Sequence, residues 1–189
     1  PTMDTPWHMP NLDKNRARRA MHGNDPGAGK GGGTHNAGLS ILSANVTSLT
    51  ANRHLFTDTS DDIVAIQEVN ANDFECKALR SSFNRERRYF TWGATRQGTA
   101  EVAGERGGGC AFISKKPLTV TASTPDLNAE EKTRTHIRAI PLKGGSACYV
   151  ISAYFWDSSQ ANYRDKTNAL LDKIAEWSYC MGQVPVYVM

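Results

Sequence analysis

The segment Asp62 to Glu68, DIVAIQE, constrains the fold of this chain more than any other stretch. Ile63, Val64, Ala65 and Ile66 are apolar at consecutive positions, and the run stops at Gln67-Glu68. A strand with no polar face is one buried on both sides, as in a covered parallel sheet, and its polar groups collect at its carboxyl end. In open α/β sheets, chemistry sits beyond the carboxyl ends of the strands. Glu68 is therefore either an acid fixed at a site or a solvated acid where a strand surfaces.

The flanking sequence supplies the elements such a strand needs. LSILSANV reads as a strand with Leu39, Ile41 and Ser43 on one face and Leu42 and Ala44 on the other, ending at Asn45-Val46. Thr47-Ser48 can cap a helix from Leu49 to about Thr57 whose Leu49, Arg53, Leu55 and Phe56 cover the sheet. Strand, helix and strand form a βαβ unit, so the two strands are expected to be parallel. A second helix, about Ala71 to Phe83, carries Phe74, Ala78, Leu79 and Phe83 at helical spacing. Strands are then expected at RRYFTWGAT from Arg87, at GGGCAFISK from Gly107, and at Leu118 to Thr124 after the break at Pro117. A charged, Gly-rich loop separates the first two. PDLNAEEK reads as loop or one helical turn. Thr135 to Leu142 and Ala147 to Trp156 flank Lys143-Gly144-Gly145 as a hairpin. A helix from about Asn162 to Met181 presents Leu170, Leu171, Ile174, Trp177 and Met181, and Gly182 stops it. VPVYVM, Val184 to Met189, reads as a final buried strand. This order predicts an α/β domain with mixed sheets, without internal repeats.

Composition narrows the function classes. The 189 residues suffice for one domain with a real core. Residues 1–37 carry Pro, Gly, Asn and scattered charge without period, which predicts a disordered, Gly-rich basic leader ahead of a domain at 38–189. Within the leader, Gly27 to Thr34 (GAGKGGGT) imitates a phosphate-binding loop. Lys30, however, is followed by Gly31 rather than Ser or Thr, and no strand precedes it, so a flexible linker is the better reading. The net charge of +3 includes five basic and three acidic residues in 1–37, leaving 17 against 16 elsewhere. Charge alone therefore does not argue for nucleic acid. No run of 18 apolar residues is present and no membrane partner is expected. Cys76, Cys110, Cys148 and Cys180 lack metal-ligand spacing and read as reduced thiols, which predicts an intracellular location. The sequence carries no signal for oligomeric state. Its start at Pro1 suggests a piece of a longer protein.

Three polar residues mark strand ends: Asn45, Glu68, and Tyr154 within ISAYFWDSS. With SILSANVTSL, DIVAIQE, GGGCAFIS, YVISAYFWDSS and then a helix before VPVYVM, in that order, the chain resembles the endonuclease/exonuclease/phosphatase (DNase I-like) superfamily. It is most similar in feel to apurinic-endonuclease-like domains of non-LTR retrotransposons. The resemblance covers about Leu39 to Met189 and implies a four-layer α/β sandwich, mixed β-sheets flanked by helices, incomplete at its carboxyl end. It implies a metal-dependent phosphodiester hydrolase using Mg²⁺, with Mn²⁺ as the alternative, acting on DNA and hence nuclear. Glu68 would bind the metal, and Asn45 and Tyr154 would be catalytic and substrate-binding at the phosphate. Mg²⁺ suits such a site because it takes hard oxygen ligands and retains water. Where the family often has Pro soon after the Tyr, this chain has Phe155, Trp156 and Asp157. The family's later Gly-Asp-x-Asn and Ser-Asp-His motifs have no counterpart before Met189, and Asp157 and His136 do not replace them by position. The 189-residue chain is accordingly expected to be an inactive amino-terminal fragment of a retrotransposon-type DNA endonuclease. Alternatives are a truncated or degenerate non-catalytic domain, and a phosphatase or phosphodiesterase acting on RNA, a small phosphoester or a lipid such as phosphoinositide or sphingomyelin.

Overall fold

The computed structural model describes residues 38–95, 109–121, 123–142, 146–182 and 184–189. The leader at 1–37, the loop at 96–108 and the turn at 143–145 lie outside the described residues. The elements are β1 (Ile41–Asn45), α1 (Leu49–Asn52, continued by a 3-10 turn, Arg53–Phe56), β2 (Ile63–Gln67), α2 (Asp73–Arg85), β3 (Tyr89–Trp92), β4 (Cys110–Ser114), α3 (Ala129–Thr133), β5 (Thr135–Pro141), β6 (Ala147–Ala153), α4 (Tyr163–Cys180) and β7 (Val186–Val188).

Two sheets form, ordered β1-β2-β4-β3 and β5-β6-β7. β1 and β2 are parallel, with Asn45 opposite Gln67, so Asn45 and Glu68 emerge at the same end. β2 and β3 both pair antiparallel with β4. In the second sheet β5 and β6 are antiparallel, and β7 adds parallel to β6. The sheets are therefore mixed. Strand alternation divides the side chains among three apolar layers. Val64, Ile66, Ala111 and Ile113 face α1 and α2, meeting Leu49, Phe56, Cys76, Leu79 and Phe83. Ile63, Ala65 and Phe112 face the second sheet, meeting Ile140, Cys148 and Val150. Ile137, Ile151 and Ala153 face α4, meeting Leu170, Ile174 and Trp177. This is the expected helix–sheet–sheet–helix sandwich, and every residue of β2 is buried, as its lack of a polar face requires.

Several local expectations are corrected. The first helix has one α turn, and Ser48 makes no side-chain cap. Asn52 instead returns its amide to the carbonyls of Val46 and Ser48 at 2.9 and 3.0 Å, after which the chain tightens into the 3-10 turn. Leu55 is exposed and Phe56 buried. α2 starts later than expected because Asn72 and Glu75 form a capping box. Its buried stripe is Cys76, Leu79 and Phe83, while Phe74 is 80% exposed. Leu118 to Thr124 forms no strand among its described residues, only one bridge from Thr119 to Ala139. Leu171 is exposed on α4. β7 is an edge strand with Tyr187 and Val188 exposed, not a buried one. Tyr154 lies just past β6 rather than within it. Gly93, just past β3, allows the sheets to approach: a Cβ there would stand 2.8 Å from the Thr135 carbonyl oxygen.

All four cysteines are free, and only Cys180 is exposed. Burial raises the Cys76 and Cys110 thiols to about 12, consistent with inert packing residues. Among the described residues no helix is long and apolar enough to cross a membrane.

Candidate active site

β1, β2 and β6 deliver the expected residues to one place. Asn45 ends β1 and donates from Nδ2 to Glu68 Oε1 at 2.9 Å. Glu68 is the first residue past β2, half-buried, with a left-handed φ of 56° that turns its side chain out of the strand's alternation. Tyr154 is the first residue past β6, and its phenol lies close enough to Glu68 to feel that side chain. Burial first, then Glu68, pushes the Tyr154 phenol up to about 12. Near neutral pH it is therefore a protonated donor beside a carboxylate.

The backbone around the cluster is strained. Thr47 and Asn70, with φ of 55° and 48°, share the left-handed region with Glu68. A β-branched residue is a true outlier there, and such positions gather at sites where the surroundings over-determine the chain. The restraints are visible. Asn70 Nδ2 donates to the Thr47 carbonyl. Val46 and Leu49 N–H groups donate to Gln67 and Val69 carbonyls at 3.2 and 3.0 Å. Val69 N–H donates to Gly109 at 3.1 Å.

Two supports were not legible in the sequence. Gln67 is buried and donates to Ser152 Oγ at 3.2 Å, while Ser152 Oγ donates to the Ile66 carbonyl at 2.9 Å. The two sheets are thus bonded together directly behind Glu68. Arg134, 4% exposed, holds the exit of β6. Its carbonyl accepts from Tyr154 N–H at 2.8 Å. Its Nη1 donates to the Tyr154 and Phe155 carbonyls at 3.4 and 3.3 Å, and its guanidinium lies 5.2 Å from the Tyr154 ring centre. The only advance signal for either was an unusual one: a Gln inside an apolar strand, and an Arg directly before a strand.

His136 is not part of this cluster. It is buried between the sheets against Phe112 and Thr91, and burial, then Arg138, holds its imidazole well below the usual range. Among the described residues no three His, Cys, Asp or Glu side chains converge as a metal cage. A cation such as Mg²⁺ does not need one: it is commonly held by one or two carboxylates with water and substrate phosphate. The Glu68 carboxylate, fixed by Asn45 and reachable from solvent, fits that requirement.

A family model described as Endonuclease/Exonuclease/phosphatase family matches residues 16–178. Among solved structures, an AP endonuclease from Archaeoglobus fulgidus aligns with a TM-score of 0.54 at 17% identity, covering 77% of this chain and 52% of that one. The 3′ phosphatase NExo from Neisseria, bound to product DNA hairpin, aligns at 0.53 and 20%, covering 76% and 53%. The 3′-5′ exonuclease NExo from Neisseria meningitidis aligns at 0.52 and 20%, covering 75% and 53%. These likenesses concern the fold. The chain spans about half the length of these solved structures. No curated protein matches the sequence.

Proposed function

The chain belongs to the Endonuclease/Exonuclease/phosphatase family, and from that premise we propose that it carries part of the site of a divalent-metal phosphodiester hydrolase acting on DNA. The observation that carries this reading is the convergence of Asn45, Glu68 and Tyr154 from three strand ends on one carboxylate. Support for DNA comes from the family and from neighbours described as an AP endonuclease and as a phosphatase bound to a DNA hairpin. The motif order supports the finer assignment to a retrotransposon-type endonuclease, and with it a nuclear location.

Each residue has a role its chemistry can perform. Glu68 would hold Mg²⁺, or Mn²⁺ in its place. A cation bound there supplies charge neutralisation at the phosphate oxygens. Asn45 is neutral: it orients Glu68 without repelling a phosphate. Tyr154 stays protonated and can donate to a non-bridging oxygen held beside Glu68, an interaction that strengthens as negative charge develops. None of these three is a base suited to activate water at neutral pH. We therefore propose that the 189-residue chain alone binds metal and phosphate far better than it cleaves.

The test uses Mn²⁺ as a spectroscopic probe. The parent chain should bind Mn²⁺ in competition with Mg²⁺, as read by electron paramagnetic resonance. Glu68→Gln should weaken binding by roughly tenfold or more, the scale on which even outer-shell changes act. Nicking of supercoiled plasmid by the parent should be slow and should vanish in Glu68→Gln. Equal Mn²⁺ affinity in parent and variant would overturn the assignment of Glu68.

A further inference from the structure

Beside the Glu68–Tyr154 pair lies a cleft of about 250 Å³ that the phosphate chemistry does not use, lined by Phe155, Trp156, Tyr163, Arg164, Thr167 and Asn168. Its floor is fixed. Trp156 is buried, donates from Nε1 to Glu130 Oε1 at 2.7 Å, and has the Arg134 guanidinium 4.6 Å and the Lys166 ammonium 5.6 Å from its ring centre. Its walls are half-open. Phe155 and Tyr163 pack partly against the core under α4 and remain partly exposed. Arg164 is exposed, and its Nε donates to the Tyr163 hydroxyl at 2.9 Å. Two residues link the cleft to the phosphate site. Phe155 directly follows Tyr154, and the Arg134 guanidinium packs against the rings of both Tyr154 and Trp156.

The chemistry of the lining selects the occupant. Arg164 at the rim disfavours an acyl chain and favours an anionic backbone, while Lys166 and Arg134 below are paired with the Glu130 carboxylate at 3.3 and 3.9 Å. The aromatic walls favour a flat π face, which every nucleobase offers whatever its identity. A paired base in a duplex has both faces covered by its neighbours, so only an unstacked base can enter. We propose that this cleft takes the unstacked nucleobase flanking the phosphodiester held at Glu68 and Tyr154. The inference rests on the phosphodiesterase reading above and deepens it: the substrate is nucleic acid with an unpaired nucleotide beside the cleavage position, rather than a lipid or an intact duplex.

The experiment compares two labelled probes on the full 189-residue chain by fluorescence anisotropy: short single-stranded oligothymidylate, and an abasic oligonucleotide of equal length. Phe155→Leu and Tyr163→Leu keep apolar bulk but remove the π face, and Tyr163→Phe restores it. Circular dichroism and thermal melting check that all three fold. Each leucine variant should weaken oligothymidylate binding roughly five- to a hundredfold, the range for one lost base–aromatic stack. Tyr163→Phe should bind nearly as the parent does, and the abasic probe should bind all variants alike. If the parent binds oligothymidylate, Tyr154→Phe weakens it and the leucine variants do not, the cleft assignment is wrong while the phosphodiesterase reading stands. If the parent binds neither probe in the presence of Mg²⁺, both readings fall.

Discussion

Tyr154 shows how a single side chain couples position to charge. Burial and the adjacent Glu68 carboxylate both favour its neutral form, so its phenol titrates at about 12 in the folded chain against 10.0 for the ordinary group. A pKa raised on folding contributes stability that is complete below the unfolded value and disappears as pH climbs through the folded one. The parent should therefore lose stability between pH 10 and 12 more steeply than Tyr154→Phe. In a spectrophotometric titration, the tyrosinate signal missing from Tyr154→Phe should be the one that rises near pH 12; a missing signal centred near 10 would mean the hydroxyl is solvated and apart from Glu68. At this scale the sequence was partly informative. Asn45, Glu68 and Tyr154 were legible because strand ends can be found from hydrophobic runs. Arg134 and Ser152 were not, because their meaning lies in contacts with Tyr154 and Gln67, 20 and 85 residues away. The positive φ of Thr47 has no sequence signature at all: Thr is among the last residues one would place there.

Among the elements, two capping boxes of the same type sit in different surroundings. Asn72 and Glu75 begin α2 at the surface. Asn128 and Glu131 begin α3, but Glu131 is 4% exposed and also receives Lys173 Nζ of α4 at 2.8 Å. That one carboxylate closes a cap and ties α3 to the outer helix. Glu75→Ala should cost about 1 kcal/mol, the usual worth of a cap. Glu131→Ala should cost about 1–2 kcal/mol, because it also removes the charge-assisted bond to the part-exposed Lys173. Urea unfolding of the two variants makes the comparison, and equal losses would show that the Lys173 contact adds nothing. The sequence displays both Asn-x-x-Glu patterns equally, yet only the second is structural glue, since burial is decided by what packs above it. Element existence was otherwise well marked by period. Extent was not: the threonine-rich segment at Leu118 alternates correctly for a strand, but among its described residues only Thr119 finds a bridge partner, on Ala139. Phe74 sits at helical spacing yet falls in the first turn of α2 and is exposed.

For the molecule as a whole, the layering follows from one property, that β2 and β4 are apolar on both faces and so must be covered twice. The α1–α2 layer covers one side and the second sheet the other. This much was legible, because DIVAIQE admits no exposed face. What periodicity could not tell was which strands occupy sheet edges, since a short apolar run is compatible with centre or edge. β7 illustrates the difference. Among the described residues it pairs only with β6, and Tyr187 and Val188 are 49% and 43% exposed along it. An apolar, uncharged edge with free backbone groups is a template for another chain. The 189-residue chain should therefore self-associate with rising concentration, read by sedimentation velocity. Lys is the residue natural edges use against such pairing. Tyr187→Lys and Val188→Lys should each keep the chain monomeric over the same concentrations, while shifting stability by no more than about 0.5 kcal/mol as expected for exposed positions. Val186 is excluded from the test because it packs on the core under α4. If the lysine variants associate as strongly as the parent, β7 is not the contact, and the other sheet edges at β1, β3 and β5 become the surfaces to charge in turn.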